Sequence, residues 1–441
     1  MKTAAAHWSI GSSLGDMILT GVLPYGGPPA DVLISDGKFV SFVSQDQARN
    51  PEAQVVDCQG LIMMPGFVDL HTHLREPGGE AAETISTGTR SATAGGYTDV
   101  FAMANTDPVT DSAERVRNLV ALANLHGACR VHPVGALTKN LEGNESAPYA
   151  EMAAAGAHIF SDDGRCLDNA NLTRQGLQAV AAFGGVLAQH AQSADLAGQG
   201  QINAGPAAQS TGIPAWLGVA EETIIARDAI LAAETGAHLH VCHISTRRSA
   251  DIVRWAKSQG WPVTAEVTPH HLLLSDELAA LADTRYKVNP PLRSVDDVLA
   301  LRAALLDGTI DAVATDHAPH TAETKARNWC DAPFGMTGLE TALSVVAKVL
   351  EDAEHLDWNL VAAVMSEAPA RIGGISEFAG RPLAVGEPAS FCLIEDQQWT
   401  VTSENRYSKS DNNPFRGNSF RYKVVATALE GRLVHLANES R

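Results

Sequence analysis

From about residue 61 to residue 351 the chain repeats one pattern. A short apolar run that reads as a buried strand is followed by a longer amphipathic or Ala-rich stretch that suits a helix. Eight such runs fall at residues 61–70, 98–104, 130–136, 157–160, 185–189, 237–243, 262–267 and 310–315. Strands alternating with helices predict parallel pairing, and eight of them predict a (β/α)8 TIM barrel. The 441 residues exceed the ~250 of a bare barrel, so a second module is expected. The two ends supply it. Residues 1–65 and 377–441 read as short strands and turns, with a hairpin around Asp36-Gly37 and another around Glu430-Gly431. The expected organisation is a catalytic barrel over 66–376 and a small β-sandwich module formed jointly by 1–65 and 377–441.

Composition narrows the function classes. Hydrophobic residues make up 45% and charged residues 19% of the chain, enough apolar material for a large core. The net charge of -19 repels polyanions, so nucleic acid is not an expected partner. The six cysteines form no CxxC pair, which suits reduced, mostly buried thiols in a cytoplasmic protein. Residues 1–20 lack the apolar core of a signal peptide, and no run approaches the roughly 18 apolar residues of a membrane span. Residues 191–214 are rich in Gly, Gln, Ala, Ser and Pro and read as a structureless stretch, either a lid or a surface insertion.

Chemistry collects at the C-terminal ends of the predicted strands, where barrels of this kind carry their sites. The first run ends in His71-Thr-His73, and alternation on a strand sends both imidazoles to one side. The fourth runs into Ser161-Asp162-Asp163-Gly164, the fifth ends at His190, the sixth at His243, and the eighth in Thr315-Asp316-His317-Ala-Pro-His320. Four imidazoles and two carboxylates form an N/O donor set suited to Zn²⁺, and six donors suggest two ions sharing a carboxylate. His7, His126, His355 and His435 lie off the strand ends. His238 and His240 are expected deeper or on the opposite face, and His270 and His271 in a supporting role.

Taken together, residues 69–78, Ala104-Asn105-Thr106, residues 160–164, residues 287–293 and residues 314–320 resemble the amidohydrolase superfamily, and within it the class I bacterial dihydroorotases. The resemblance spans roughly residues 16–436. It implies that His71, His73 and Asp316 bind one zinc, His190 and His243 a second, and Asp163 the bridge, with Asp162 the second choice. Many relatives bridge with a carboxylated lysine, but residue 165 is Arg and no Lys lies near the fourth run. Arg75, Asn105 and His320 match residues that hold a substrate carboxylate, with His73 beside them. Asn289, Phe334 and Gly335 match contacts to a ring amide. The implied reaction is the reversible cyclisation of N-carbamoyl-L-aspartate to L-dihydroorotate in pyrimidine (UMP) biosynthesis, by metal-activated hydroxide with Asp316 as base and then acid. The resemblance also implies homo-oligomers and association with aspartate transcarbamoylase. The rival readings are a hydantoinase, dihydropyrimidinase or allantoinase, and a non-catalytic scaffold subunit that would have lost ligands.

Overall fold

Gly66 divides the first apolar run in two. In the computed structural model, which describes residues 10–437 apart from 12–14, 47, 49 and 51, Ile62–Pro65 belongs to the small module and Phe67–Thr72 to the barrel. The single strand expected over 61–70 is therefore two. A Cβ at Gly66 would lie 2.4 Å from the Thr98 side chain, so the chain can cross between sheets there only without one. His7 and most of the first 20 residues, read above for ligands and targeting, lie outside the described residues.

The eight barrel strands are Phe67–Thr72, Tyr97–Ala102, Arg130–Pro133, Ile159–Phe160, Val186–Gln189, His238–Val241, Val263–Val267 and Ala312–Val313. Neighbours pair in parallel within groups of three and five. Single parallel bridges, Gly135 with Phe160 and Thr72 with His317, close the circle. Alternation assigns the two faces. Val186 and Ala188 join the inner cluster with Val68, Leu70, Phe101 and Ile159, whereas Leu187 packs outward against the helices. Burying such a leucine contributes roughly 1.5–3 kcal/mol. The helices are set by the same logic. In Arg247–Ser258, Thr246 caps the N-terminus by accepting from Ser249 N, and Ala250, Val253 and Ala256 form the buried stripe.

Both chain ends build the module. Met17–Pro24 pairs with Ala30–Ser35, and its other edge meets Gln54–Asp57 and then Ile62–Pro65. Ile62–Pro65 pairs antiparallel with Phe391–Glu395, which continues to Lys423–Leu429 and Arg432–Leu436. Leu19, Val32, Phe39, Phe391 and Leu433 form its core. The two hairpin turns cross tip to tip: Gly37 has φ +73°, and a Cβ on Gly431 would lie 2.3 Å from the Gly37 Cα.

Two expectations change. Residues 191–214 are not structureless. They hold Ala194–Ala197, Ile202–Asn203 and Pro206–Thr211, with Ile202, Ala207 and Ala208 packed on Trp329 and Ala279. The small apolar residues find a hydrophobic partner that composition does not show, and the buried Arg293 ties the segment down through Asn203 Oδ1 at 3.0 Å. The C-terminal stretch also leaves the module, bringing Ser408 to Glu83 and Asn412 to Ala318 on the barrel.

Candidate active site

Asp163 lies at the centre of the strand-end cluster. Its Oδ1 is 3.1 Å from His190 Nδ1 and 3.3 Å from both His71 Nε2 and His243 Nε2, and its Oδ2 is 3.4 Å from His73 Nε2. Asp316 Oδ1 closes the other side, 3.1 Å from His73 Nε2 and 3.7 Å from His71 Nε2. The six residues, drawn from five strand ends, thus converge on one point. His71, His73 and Asp163 form one group able to hold a metal, and Asp163, His190 and His243 form another.

The outer hydrogen bonds decide which nitrogens face inward. His71 Nδ1 meets Glu266 Oε1 at 2.7 Å, His73 Nδ1 meets Asn105 Oδ1 at 2.9 Å, and His190 Nε2 meets Gln192 Oε1 at 2.9 Å. Each of these oxygens accepts an N–H, so in the neutral imidazole the remaining ring nitrogen presents a lone pair to the cluster. His71 Nε2 is buried without a hydrogen-bond donor or acceptor, and His190 Nδ1 is 3.0 Å from His243 Nε2. Lone pairs gathered this closely around one carboxylate fit a cation, and the residues present suit a metal of the zinc type.

Asp162 points elsewhere. Its Oδ1 accepts from Leu137 N at 2.7 Å and Thr138 N at 2.9 Å, so it fastens the loop after the third barrel strand. Glu266 and Gln192 are site residues that sequence reasoning passed over. A lone glutamate inside the apolar run Val263–Val267 was the available signal for Glu266. Gln192 carried none. Its oxygen also takes Asn289 Nδ2 at 2.9 Å. His240 lies deeper in the barrel on Glu266 Oε2 at 3.0 Å, and His271 spans Thr268 and Pro290 O.

Backbone and charge are both perturbed here. Arg75, His243 and Asp316 have φ of 61°, 32° and 45°, left-handed values that side-chain-bearing residues rarely adopt. Burial alone would raise the Asp163 carboxyl, but His71, His190 and His243 outweigh it and hold it well below the usual range. Burial likewise opposes ionisation of Asp316, and His73 and His71 reverse the balance. Burial lowers His71, but Asp163 and Glu266 raise it further.

Above the cluster is a cavity of about 360 Å³. His73, Arg75, Asn105, Asn289, His320, Phe334 and Gly335 all line it. Arg75 Nε donates to Pro319 O at 3.2 Å, and its Nη2 is 3.5 Å from His320 Nε2. Asn289 Oδ1 is buried without a partner. His320 is pushed down to about 3 by burial and by Arg75. Asn412, another residue the sequence did not flag, donates to Ala318 O at 2.9 Å and Gly335 O at 3.1 Å and accepts from His320 N at 3.1 Å.

A barrel with such a centre on its strand ends is an amidohydrolase, and this is the class that fold and site define. A family model described as Dihydro-orotase-like matches residues 60–249. The dihydroorotase of Streptomyces coelicolor is 50% identical over 418 residues, 94% of this chain and 97% of that protein. The dihydroorotase of Mycobacterium tuberculosis is 46% identical over 421 residues, 95% of this chain and 97% of that protein. The chain belongs to the dihydro-orotase-like family. Among solved structures, L-hydantoinase (dihydropyrimidinase) from Arthrobacter aurescens superposes with a TM-score of 0.86 at 26% identity over 97% of both chains. Dihydropyrimidinase from Brevibacillus agri gives 0.82 at 23% over 96% of both, a likeness of fold alone.

Proposed function

We propose that this chain opens and closes the dihydroorotate ring at two zinc ions held by His71, His73, His190, His243 and Asp316 and bridged by Asp163. Dihydroorotase activity, a cyclic-amide hydrolysis, follows from the family and from relatives 42–50% identical over most of the chain. The observation that carries the site assignment is the convergence of inward-facing imidazole nitrogens on Asp163. Bound there, zinc would polarise the ring carbonyl and lower the pKa of water to about 7.

The chain's own groups do the rest. The Asp316 carboxylate, ionised beside His73, takes the proton of the attacking water and returns it to the departing ring nitrogen. Synthesis runs the same transfers backwards and releases water. Arg75 and the amide of Asn105 bind the ring carboxylate, with His320, whose Nε2–H is held by Phe334 O, lining the same side of the cavity. The Asn105 oxygen is taken by His73, so its NH₂ end is the one that meets an anion. Asn289 Oδ1 accepts from a ring N–H, and the Phe334-Gly335 backbone lines the same edge. This carboxylate cradle favours dihydroorotate over the uncharged rings that a hydantoinase or dihydropyrimidinase opens.

The test is ring opening of L-dihydroorotate by purified protein, with metal counted per protomer and dihydrouracil as the uncharged control. Arg75→Met should abolish the preference for dihydroorotate. Activity on dihydrouracil alone, or none with zinc restored, sinks the reading. Cytoplasmic homo-oligomers, and assembly with aspartate transcarbamoylase, extend the same reading. Light scattering with and without the transcarbamoylase checks both assemblies.

A further inference from the structure

Behind the wall of the cavity formed by Phe334 and Gly335 are two buried lysines. Lys287 and Lys325 are 1% and 7% exposed. Lys287 Nζ donates to Trp329 O and Ala332 O, both at 2.6 Å, and lies 4.4 Å from the centre of the Phe334 ring. Lys325 Nζ donates to Pro333 O and Gly335 O, both at 3.1 Å, and to Lys287 O at 3.4 Å. Among the described residues no carboxylate is within ion-pair distance of either ammonium. Asp283, the acid nearest in effect to Lys325, is committed to Arg285 at 2.9 Å. Lys287 Nζ is also 3.5 Å from Cys330 O, and Asp331 favours its charge without pairing with it. From the cavity side His320 Nε2 holds Phe334 O at 2.6 Å, with Arg75 beyond it.

A buried ammonium normally needs an anion beside it. Here two share a cage of carbonyl oxygens, all from the stretch that presents Phe334 and Gly335 to the cavity or from Lys287 itself. The carbonyl dipoles only partly offset the charge, so a positive field is left directly behind the proposed ring-binding wall. We propose that Lys325 and Lys287 are positioning residues for the substrate, fixing residues 329–335 in their binding shape and supplying a field that favours an anionic ligand. This rests on the dihydroorotate reading above.

Titration adds a signature. Burial, with Lys287 beside it, pushes Lys325 down to about 7. Below that pH the ammonium holds all three carbonyls. Above it a neutral amine has two N–H groups for three acceptors and no charge. Substrate affinity should therefore weaken as pH rises through neutrality.

The experiment uses the zinc-loaded full chain. Lys325→Met and Lys287→Met should each raise KM for L-dihydroorotate about tenfold, with a smaller fall in kcat and unchanged metal content. Wild-type KM should rise between about pH 6 and about pH 8.5, and Lys325→Arg, whose charge does not titrate, should flatten that rise. Trp329 emission, read as the difference from Trp329→Phe, should shift to the red in Lys325→Met even without substrate. Unchanged KM and Trp329 emission in the methionine variants would overturn the proposal. So would a pH profile shared by wild type and Lys325→Arg. Should none of the variants fold, a wild-type KM constant across that pH range overturns it and a rise supports it. Wild-type holoenzyme inert toward dihydroorotate, with Trp329 still responding, would instead overturn the functional reading and leave the loop device standing.

Discussion

Glu266 Oε1 meets His71 Nδ1 at 2.7 Å, and both side chains are sealed from solvent. Burial opposes the Glu266 charge, but His71 and His240 together hold the carboxyl far below its ordinary range. The contact fixes the His71 tautomer and turns Nε2 toward Asp163.

Glu266→Gln keeps the shape and removes the charge. Its amide cannot accept as strongly from Nδ1–H, so metal affinity should fall about 10–100-fold. Metal retained per protomer after dialysis against graded chelator measures this. Retention equal to wild type would refute the coupling.

The two neighbouring aspartates should separate cleanly. Asp163→Ala should lose a metal equivalent and nearly all activity while folding normally. Asp162→Ala should keep its metal but lose about 3 kcal/mol of stability, because it leaves the Leu137 and Thr138 amides without their buried acceptor. Metal counts and denaturant midpoints on the pair decide it, and the reverse ranking would exchange their roles.

Asn412 joins three backbone groups on two segments around the cavity, Ala318 and His320 on one and Gly335 on the other, from the far end of the chain. Asn412→Ala should raise KM about tenfold, with kcat less affected, as the loops bearing His320 and Gly335 loosen. A rise confined to kcat would place its effect elsewhere.

His435 is buried in the module against Tyr407, and burial pushes it down from 6.5 to about 4, with Lys423 adding to the effect. A histidine depressed on folding binds its proton more readily when unfolded. Stability is therefore full above about pH 6.5 and declines as pH falls toward about 4. The cost at the acid end is about 3 kcal/mol. Thermal midpoints of metal-free protein should fall over that window, and less so in His435→Phe. Parallel curves would exclude His435 as a source.

What could be read from the chain follows the range of the interactions. All eight barrel strands were visible because each is a local apolar run, and alternation alone placed His71 and His73 on one side. The metal-type residues were visible because histidines repeated at strand ends. Glu266, Gln192 and Asn412 escaped, since their roles exist only through partners far away in sequence. Residues 191–214 misled for the same reason: a Gly- and Ala-rich segment gives no hint of Trp329 and Arg293 waiting across the fold. The break at Gly66 depends on Thr98, which no local pattern reveals.

The crossing of the Gly37 and Gly431 turns, with Ile62–Pro65 paired to Phe391–Glu395, also sets an order of events during synthesis. The first half of the module emerges from the ribosome early and must wait, one edge unpaired, while the whole barrel is made. An open edge of this kind invites pairing with another chain. The strands translated after the barrel are therefore the seal on the first, and a chain stopped short of residue 391 would carry an aggregation-prone edge even with every metal ligand already in place.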